Sequence, residues 1–452
     1  MLTKFYKEVM PVTECTSKLF FPHDKNRKIE GDFSGGDLSI DGGLVLLGQV
    51  ESQIGLISKL SNCIRDPRNQ FKVLHKQHEL LSQRIFQICA GYEDANDSNI
   101  LRTDEALKLS CGKFPDDGPL GSQSTITRLE NRIYKADIAN MRRVFIDHYL
   151  SGFTSAPEEI ILDIDSFADE THGQQEMTFF HGFYGHYMYH PVLINDAATG
   201  YPVLLQLRAG NSHAGKGIKS LLRWLFWRIR QAFPSVRIVL RGDAGFSLPE
   251  IITICERSSI DYVFGYGANN VLKRKSENLI EQARLEFCRT GKKARLFDDV
   301  YYQAGSWDNY RRIIMKAEWL EKGSNQRYIV TSCEGEPQKI YDGFYVQRGE
   351  TSENRIKELK LDMKADRLSC SKFIANQFRL FLTQAAFVFM LEIKKTLVGT
   401  NYARSTMQTI RNLFIKCAVR IKKTARRVLI QFASSCKVKD ALMHINQRLT
   451  PV

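Results

Sequence analysis

Cysteine is sparse and unpatterned in this chain: ten in 452 residues, each standing alone, with no Cys-x-x-Cys and no regular spacing. That usage argues against a disulfide framework and a zinc ribbon, and fits reduced cytosolic thiols in or near cores. Long apolar runs are also missing. A membrane span needs roughly 20 apolar residues, and the most apolar stretch, Phe378 to Ile393, is interrupted by Arg379, Gln384 and Glu392. The opening MLTKFYKEVMPVTEC lacks the apolar centre of a secretory signal. The expectation is a cytoplasmic protein with no membrane partner. Internal repeats and low-complexity segments are absent from the sequence as well. With 43% hydrophobic and 11% aromatic residues, there is ample material for a core, which excludes intrinsic disorder.

Acid is scarce in one place. The net charge is +14, but residues 1–155 balance 20 basic against 20 acidic side chains, and residues 394–448 carry 13 basic against one acidic, Asp440. So uneven a block points to a polyanion as partner, either nucleic acid or an anionic membrane surface. Within it Ile410, Phe414, Cys417, Ile421, Val428 and Phe432 form one helical stripe, and Lys416, Arg420, Lys423 and Arg427 another. A basic amphipathic helix is expected, with its cations turned to DNA.

Three regions follow from the patterning. Residues 1–155 read as mostly helical, with Val73, Leu74, Leu80, Leu81, Ile85 and Ile88 at helical spacing before a capping Gly91. A polar-faced helix from Ser124 is open to two readings, a DNA-reading helix or a solvated face. From Ile160 the character becomes α/β: strands at 160–165, 188–194, 203–207, 236–240 and 261–264, with helices at about 218–233 and 247–257. Between about 266 and 345, strand-like pieces at 295–302, 311–316 and 327–331 suggest a β-rich insertion. Helix then dominates from about 352, and a third region, basic and helical, is set at 376–452.

The chemistry is argued from acids at strand ends. Asp165 ends one apolar strand and Asp243 another, 78 positions later. Carboxyl ends of strands form the rim on which α/β folds build their sites. Gly242 and Gly245 around Asp243 permit a tight turn. Two hard oxygen donors on neighbouring strands suit Mg²⁺ or Mn²⁺, while an N-cap or salt-bridge role is the plain alternative for either acid alone. A third acid, Glu353, would share a helical face with Lys357 and Lys360 at i+4 and i+7, and an ordinary ion-paired surface helix reads the same way.

These residues resemble bacterial insertion-sequence transposases of the DDE type, in the branch whose third motif reads Tyr-x2-Arg-x3-Glu-x6-Lys. Tyr345-x2-Arg348 and Glu353-x6-Lys360 match, though four residues separate Arg348 from Glu353 instead of three. Further blocks agree: Leu162–Ser166, Thr171–Gly173, Leu207–Asn211, His213–Gly215 and Arg241–Phe246, with Gly91–Asn96 and Ser122–Thr125 upstream. Asp163 and Asp165 compete for the first role, since i and i+2 on a strand face the same way. Asp165 is preferred because the family's first Asp precedes a small or hydroxyl residue, here Ser166.

The resemblance implies an RNase H-like catalytic core (residues 156–375) carrying the β-rich insertion, flanked by a DNA-binding N-terminal region and the basic C-terminal one. It implies two Mg²⁺ or Mn²⁺ ions held by Asp165, Asp243 and Glu353 for phosphodiester cleavage and strand transfer. Tyr345, Arg348, Lys357 and Lys360 would bind the DNA ends, with double-stranded transposon and target DNA as partners and a homodimer pairing two ends. A nuclease without strand transfer and a lapsed DNA-binding descendant are the competing functions. Gly210–Gly217 resembles a nucleotide-binding loop, but Gly217 stands where Mg²⁺ needs a hydroxyl, so no nucleotide cofactor is expected. His172, His181, His186, His190 and His213 follow no zinc spacing. Trp307 could stack on an unpaired base, or lie in the core.

Overall fold

The computed structural model describes residues 18–22, 27–213, 215, 217–349 and 353–450. Its centre is one eight-stranded sheet. Numbered in chain order, the strands are β1 (Glu159–Ser166), β2 (Val192–Asp196), β3 (Pro202–Gln206), β4 (Arg237–Gly242), β5 (Asp261–Tyr266), β6 (Ala294–Tyr302), β7 (Arg311–Leu320) and β8 (Gly323–Thr331). Their spatial order is β6-β7-β8-β5-β4-β1-β2-β3. β4 runs parallel to both β1 and β5, whereas β2 and β3 fold back antiparallel beside β1. The β3-β2-β1-β4-β5 portion has the strand order and directions expected of an RNase H-like core.

The central strands read as near-continuous apolar runs because both of their faces are covered. Ile160, Leu162 and Ile164 of β1 and Ile238, Val239 and Leu240 of β4 are all buried. Covering helices supply matching stripes, Leu222, Leu225, Phe226 and Ile229 from Lys219–Ala232 and Ile251, Ile252, Ile254 and Cys255 from Pro249–Arg257.

The insertion is rich in β structure, as its alternation suggests, but it joins the main sheet. β8 pairs antiparallel with β5 from Val263↔Thr331 to Tyr266↔Tyr328, and β7 and β6 continue outward. Two helices, Asn270–Lys275 and Glu277–Thr290, precede these strands. Trp307 is only 5% exposed and packs among Tyr266, Tyr302 and Arg311. Of its two readings, the structure bears out the place in the core.

The N-terminal region is a helical bundle that includes Gln77–Ala90, which Gly91 ends at φ 93° as its position suggests. Helix Phe373–Thr396 is long and apolar enough to cross a membrane, yet nearly all of it is buried in protein. Its Phe389 meets Phe86 at 5.4 Å, its Phe381 meets Phe145 at 5.5 Å, and its Gln384 donates to the Pro202 carbonyl of β3. The helix thus joins bundle to sheet, and one apolar cluster runs from Leu44 to Leu449. The boundaries at 155 and 375 mark changes in sequence character without dividing that core.

The basic tail departs from the expected amphipathic helix. Val419–Thr424 and Arg427–Phe432 form a β-hairpin, registered from Val419↔Phe432 to Thr424↔Arg427, and a helix follows only at Lys439–Leu449. Val419 and Ile421 turn inward while Arg420 and Lys422 point out, the two-residue alternation of a strand with one covered face.

Candidate active site

The geometry starts from strand register. β1 and β4 pair in parallel with Asp163 beside Arg241 and Ile164 beside Gly242, a constant offset of 78. Carried one residue further, that offset sets Asp165 beside Asp243 at the carboxyl ends of neighbouring strands. Gly242 permits the approach, because a Cβ there would lie 2.9 Å from Ile164 Cγ2. Asp243 then caps the turn Ala244–Phe246, its carboxylate accepting from the Gly245 amide at 2.9 Å.

Asp163 and Asp165 lie in different surroundings. Asp163 is fully buried and receives both Nε and Nη2 of Arg241, at 2.7 and 2.9 Å. The same guanidinium donates through Nη1 to the Phe344 carbonyl at 2.7 Å and lies over the Phe344 ring. Asp163 therefore fastens β1, β4 and the Tyr345 segment together. Asp165 instead sits at the rim, accepting from the Ser166 amide at 2.8 Å and from Arg348 Nη1 at 3.1 Å. Burial, opposed by the Arg348 charge and reinforced by that of Asp243, pushes the Asp165 carboxyl up from 3.8 to about 6. A carboxylate so placed gains by any further cation brought to it.

Tyr345 and Arg348 arrive from a segment with one wide turn, in which the Val346 amide reaches back five residues to the Tyr341 carbonyl. The Arg348 guanidinium lies 5.8 Å from the Tyr345 ring centroid. Burial raises the Tyr345 phenol, countered by Arg348 and reinforced by Asp243. A Cβ on Gly265 of β5 would come 2.7 Å from Tyr345 Oη and 2.9 Å from the Ala244 amide nitrogen. The missing side chain at Gly265 is what lets Tyr345 close on the Asp243 turn. Two of the four DNA-binding residues expected in this motif thus meet the acid pair, even though the spacing after Arg348 departs from the family's.

The structure does not gather Glu353 with Asp165 and Asp243. Glu353 is exposed at the start of Asn354–Lys357, directly after the undescribed residues 350–352. Arg355 packs over Gly200, in the β2–β3 turn at the amino end of β1. Among the described residues no group of three His, Cys, Asp or Glu side chains could hold a metal. The buried acid of this stretch is Glu358, held by Arg355 at 2.7 Å and Lys394 at 3.7 Å. Lys357 is exposed, and Lys360 lies 3.9 Å from Asp366. A second wide turn, from the Met363 amide to the Glu358 carbonyl, moves Lys360 off the simple i+7 face.

In the tail, Lys416 pairs with Asp41 at 3.1 Å and covers the Tyr92 ring, and Lys423 pairs with Glu105 at 2.7 Å and Asp116 at 3.2 Å. Arg420 and Arg427 are exposed on the hairpin. Lys216 of the Gly210–Gly217 loop lies outside the described residues. His190 is buried, its Nδ1 donating to the Ser212 carbonyl at 2.7 Å, and burial lowers it to about 4, so it is neutral at neutral pH. Two contributors escaped sequence reasoning. Arg241 is the structural partner of Asp163, and its place two residues before Asp243, matching Asp163 before Asp165, was the available signal. Tyr184 lies in the field of both rim acids, which with burial raises its phenol, and only its neighbouring aromatics hinted at it.

Against solved structures, the chain is similar to the piggyBac transposase synaptic complex with hairpin DNA, seen by cryo-EM. The likeness has a TM-score of 0.43 at 12% identity and covers 83% of this chain and 80% of that one. No curated protein matches the sequence. The family described as "Transposase DDE domain group 1" matches residues 21–452, which takes in the sheet, both rim acids, the Tyr345–Lys360 motif and the tail. By that match the chain belongs to the DDE transposases, and it is a DNA transposase.

Proposed function

We propose that this transposase is the product of a bacterial insertion sequence. In this reading it binds the terminal inverted repeats of its element, cuts the DNA there and joins the freed 3′ ends to a target. The observation that carries the reading is the meeting of Asp165 and Asp243 at adjacent parallel strand ends, with Arg348 and Tyr345 closed over them.

DDE transposases as a family use divalent metal ions. The residues at hand fit such an ion. Two carboxylates face one rim, and both burial and the charge of Asp243 oppose ionisation of Asp165, the situation a hard dication relieves. We assign Asp165 and Asp243 as ligands of Mg²⁺ or Mn²⁺, two ions in all; Glu353, exposed and apart from them here, would complete the set only if its segment is carried to the rim when DNA binds. A metal held there would supply Lewis-acid chemistry, lowering the pKa of an attacking water or 3′-hydroxyl and offsetting charge on the departing oxygen. The chain's own groups do the positioning. Arg348 holds the Asp165 carboxylate in place and brings to the rim a guanidinium charge suited to a phosphate. Tyr345, whose phenol burial raises, stays protonated beside Arg348 and would offer its hydroxyl hydrogen to a phosphate oxygen. Lys357 and Lys360 contact DNA-end phosphates, and so do Arg420 and Arg427 of the tail, whereas Lys416 and Lys423 are engaged with acids of the N-terminal region. Two ends are held by a homodimer, in the cytoplasm at the nucleoid, with no nucleotide cofactor and no membrane.

The test is incubation with Mg²⁺ or Mn²⁺ and a fragment carrying the element's own ends. Expected products are new 3′-hydroxyl ends and joined strands. Cleavage without joining would reduce the function to that of a nuclease, and binding without cleavage would mark a lapsed enzyme.

A further inference from the structure

The connection between β1 and β2 emerges at the end of the sheet where Asp165 sits, because Ser166↔Val192 is the last pair between those strands. It folds into a small sheet in which Phe179–His181 and His186–Tyr189 form an antiparallel hairpin. Its base is tied down firmly. The Phe167 amide donates to the Pro191 carbonyl, Tyr189 Oη to the Glu176 carbonyl at 2.7 Å, and the Glu176 amide to the Ser371 carbonyl at 2.8 Å. A Cβ on Gly210 would strike the Met188 carbonyl oxygen, so a neighbouring loop closes directly on the hairpin.

Its tip is aromatic and uncovered. Phe183 is 85% exposed, Tyr187 59% and Phe180 55%. Phe180 and Tyr187 are cross-strand partners with ring centroids 5.7 Å apart. Phe183 meets Tyr184 at 5.0 Å, and Tyr184 in turn lies in the field of Asp165 and Asp243. Large aromatics concentrated on a well-anchored hairpin beside a cutting site call for an apolar partner. A duplex offers none there, since its outer surface is phosphate and sugar and its base faces are stacked. Of the surfaces DNA can bring to that rim, only an unstacked base presents an apolar face, and aromatic rings bind such faces whatever the sequence.

We propose that this hairpin is a stacking platform for unpaired nucleotides of the strand whose phosphate reaches Asp165 and Asp243. The proposal rests on the cleavage reading for its location, but its own test needs no cleavage. The probes are a gapped duplex with a short run of unpaired thymidines around one fluorescent adenine analogue, and the same duplex fully paired. Wild-type protein is expected to bind the gapped probe more tightly and to quench the analogue as its base stacks on an aromatic ring.

The variant Phe180→Ala/Phe183→Ala/Tyr187→Ala changes only exposed side chains. It should lose about 5- to 100-fold in affinity for the gapped probe, keep its affinity for the paired one, and lose the quenching. Tyr187→Phe, which keeps the ring, should behave as wild type. Equal wild-type affinity for the two probes would overturn the proposal. So would an unchanged preference in the triple variant, or a change confined to its oligomeric state, which would make the patch a self-contact. Asp165→Asn should retain the preference. Failure to cleave would therefore count against the proposed function, and failure to discriminate the probes against the platform.

Discussion

Replacing Asp163 by alanine removes one half of an ion pair in which Asp163 is fully buried and Arg241 only 2% exposed. Breaking such a pair from one side costs roughly 3–5 kcal/mol, because the remaining charge stays buried without its partner. At about 2.1 cal/mol/K per residue, a chain of this size melting as one unit has an unfolding entropy of roughly 950 cal/mol/K, so the midpoint should fall by about 3–5 °C. Asp163→Leu combined with Arg241→Met should recover most of that loss, since an apolar pair of similar volume removes both charges together.

Asp165→Asn should behave oppositely. Its carboxyl is raised from 3.8 to about 6, so the folded state binds the proton more tightly than the unfolded chain does. The associated stability is present below about pH 4 and is lost as pH rises through about 6. In metal-free protein at neutral pH, Asp165→Asn therefore relieves a penalty of up to roughly 3 kcal/mol, and at about pH 4 it changes little. Scanning calorimetry of metal-free protein at the two pH values reads both effects. The assignment of roles is refuted if Asp163→Ala melts like wild type but loses metal-dependent cleavage while Asp165→Asn cleaves normally.

Three further outcomes follow from the same geometry. Removing Arg348 takes away the charge that favours Asp165 ionisation, so in Arg348→Ala the acidic limb of the pH–rate profile should move to higher pH; an unmoved limb would separate Arg348 from Asp165 function. Gly265→Ala should push Tyr345 and the Asp243 turn apart and lower the cleavage rate by about 100-fold, as a 1 Å misplacement does, with the midpoint nearly unchanged; a normal rate would show that the approach is not needed. On the tail, Arg420→Gln with Arg427→Gln should lower the salt slope of DNA binding by about 0.9 for each phosphate no longer neutralised. Lys416→Gln should instead cost stability by unpairing buried Asp41, and equal slopes for wild type and the double variant would remove the hairpin from the DNA interface.

How much of this was legible in the sequence depended on the range of the forces involved. Apolar runs ending in Asp165 and Asp243 were readable because buried parallel strands leave a local signature. Long-range pairing was not readable. That Arg241 neutralises Asp163 was hinted only by their matching places, two residues before Asp243 and Asp165, and the preference for Asp165 rested on a following Ser166 with no view of that ion pair. The tail misled because Ile421, Val428 and Phe432 satisfy a helical stripe although they lie on strands. Its turn, Ala425-Arg426, also lacks the Gly or Asn that usually signals a hairpin. Trp307 is buried by Tyr266, Tyr302 and Arg311, which lie on three different strands, so its packing was not visible from its neighbours in sequence. Glu353 was assigned by motif spacing alone, and its carboxylate stands outside the acid pair because Arg355 and Glu358 dock that stretch against Gly200 and Lys394.

The central claim is that Asp165 and Asp243 act as one metal-holding pair that cuts DNA. It is tested most directly by the rate of Mg²⁺- or Mn²⁺-dependent strand cleavage, at equal DNA occupancy, for wild type, Asp165→Asn and Asp243→Asn. The account predicts that each single substitution abolishes cleavage and that combining them removes nothing more. Full cleavage by either single variant would contradict it.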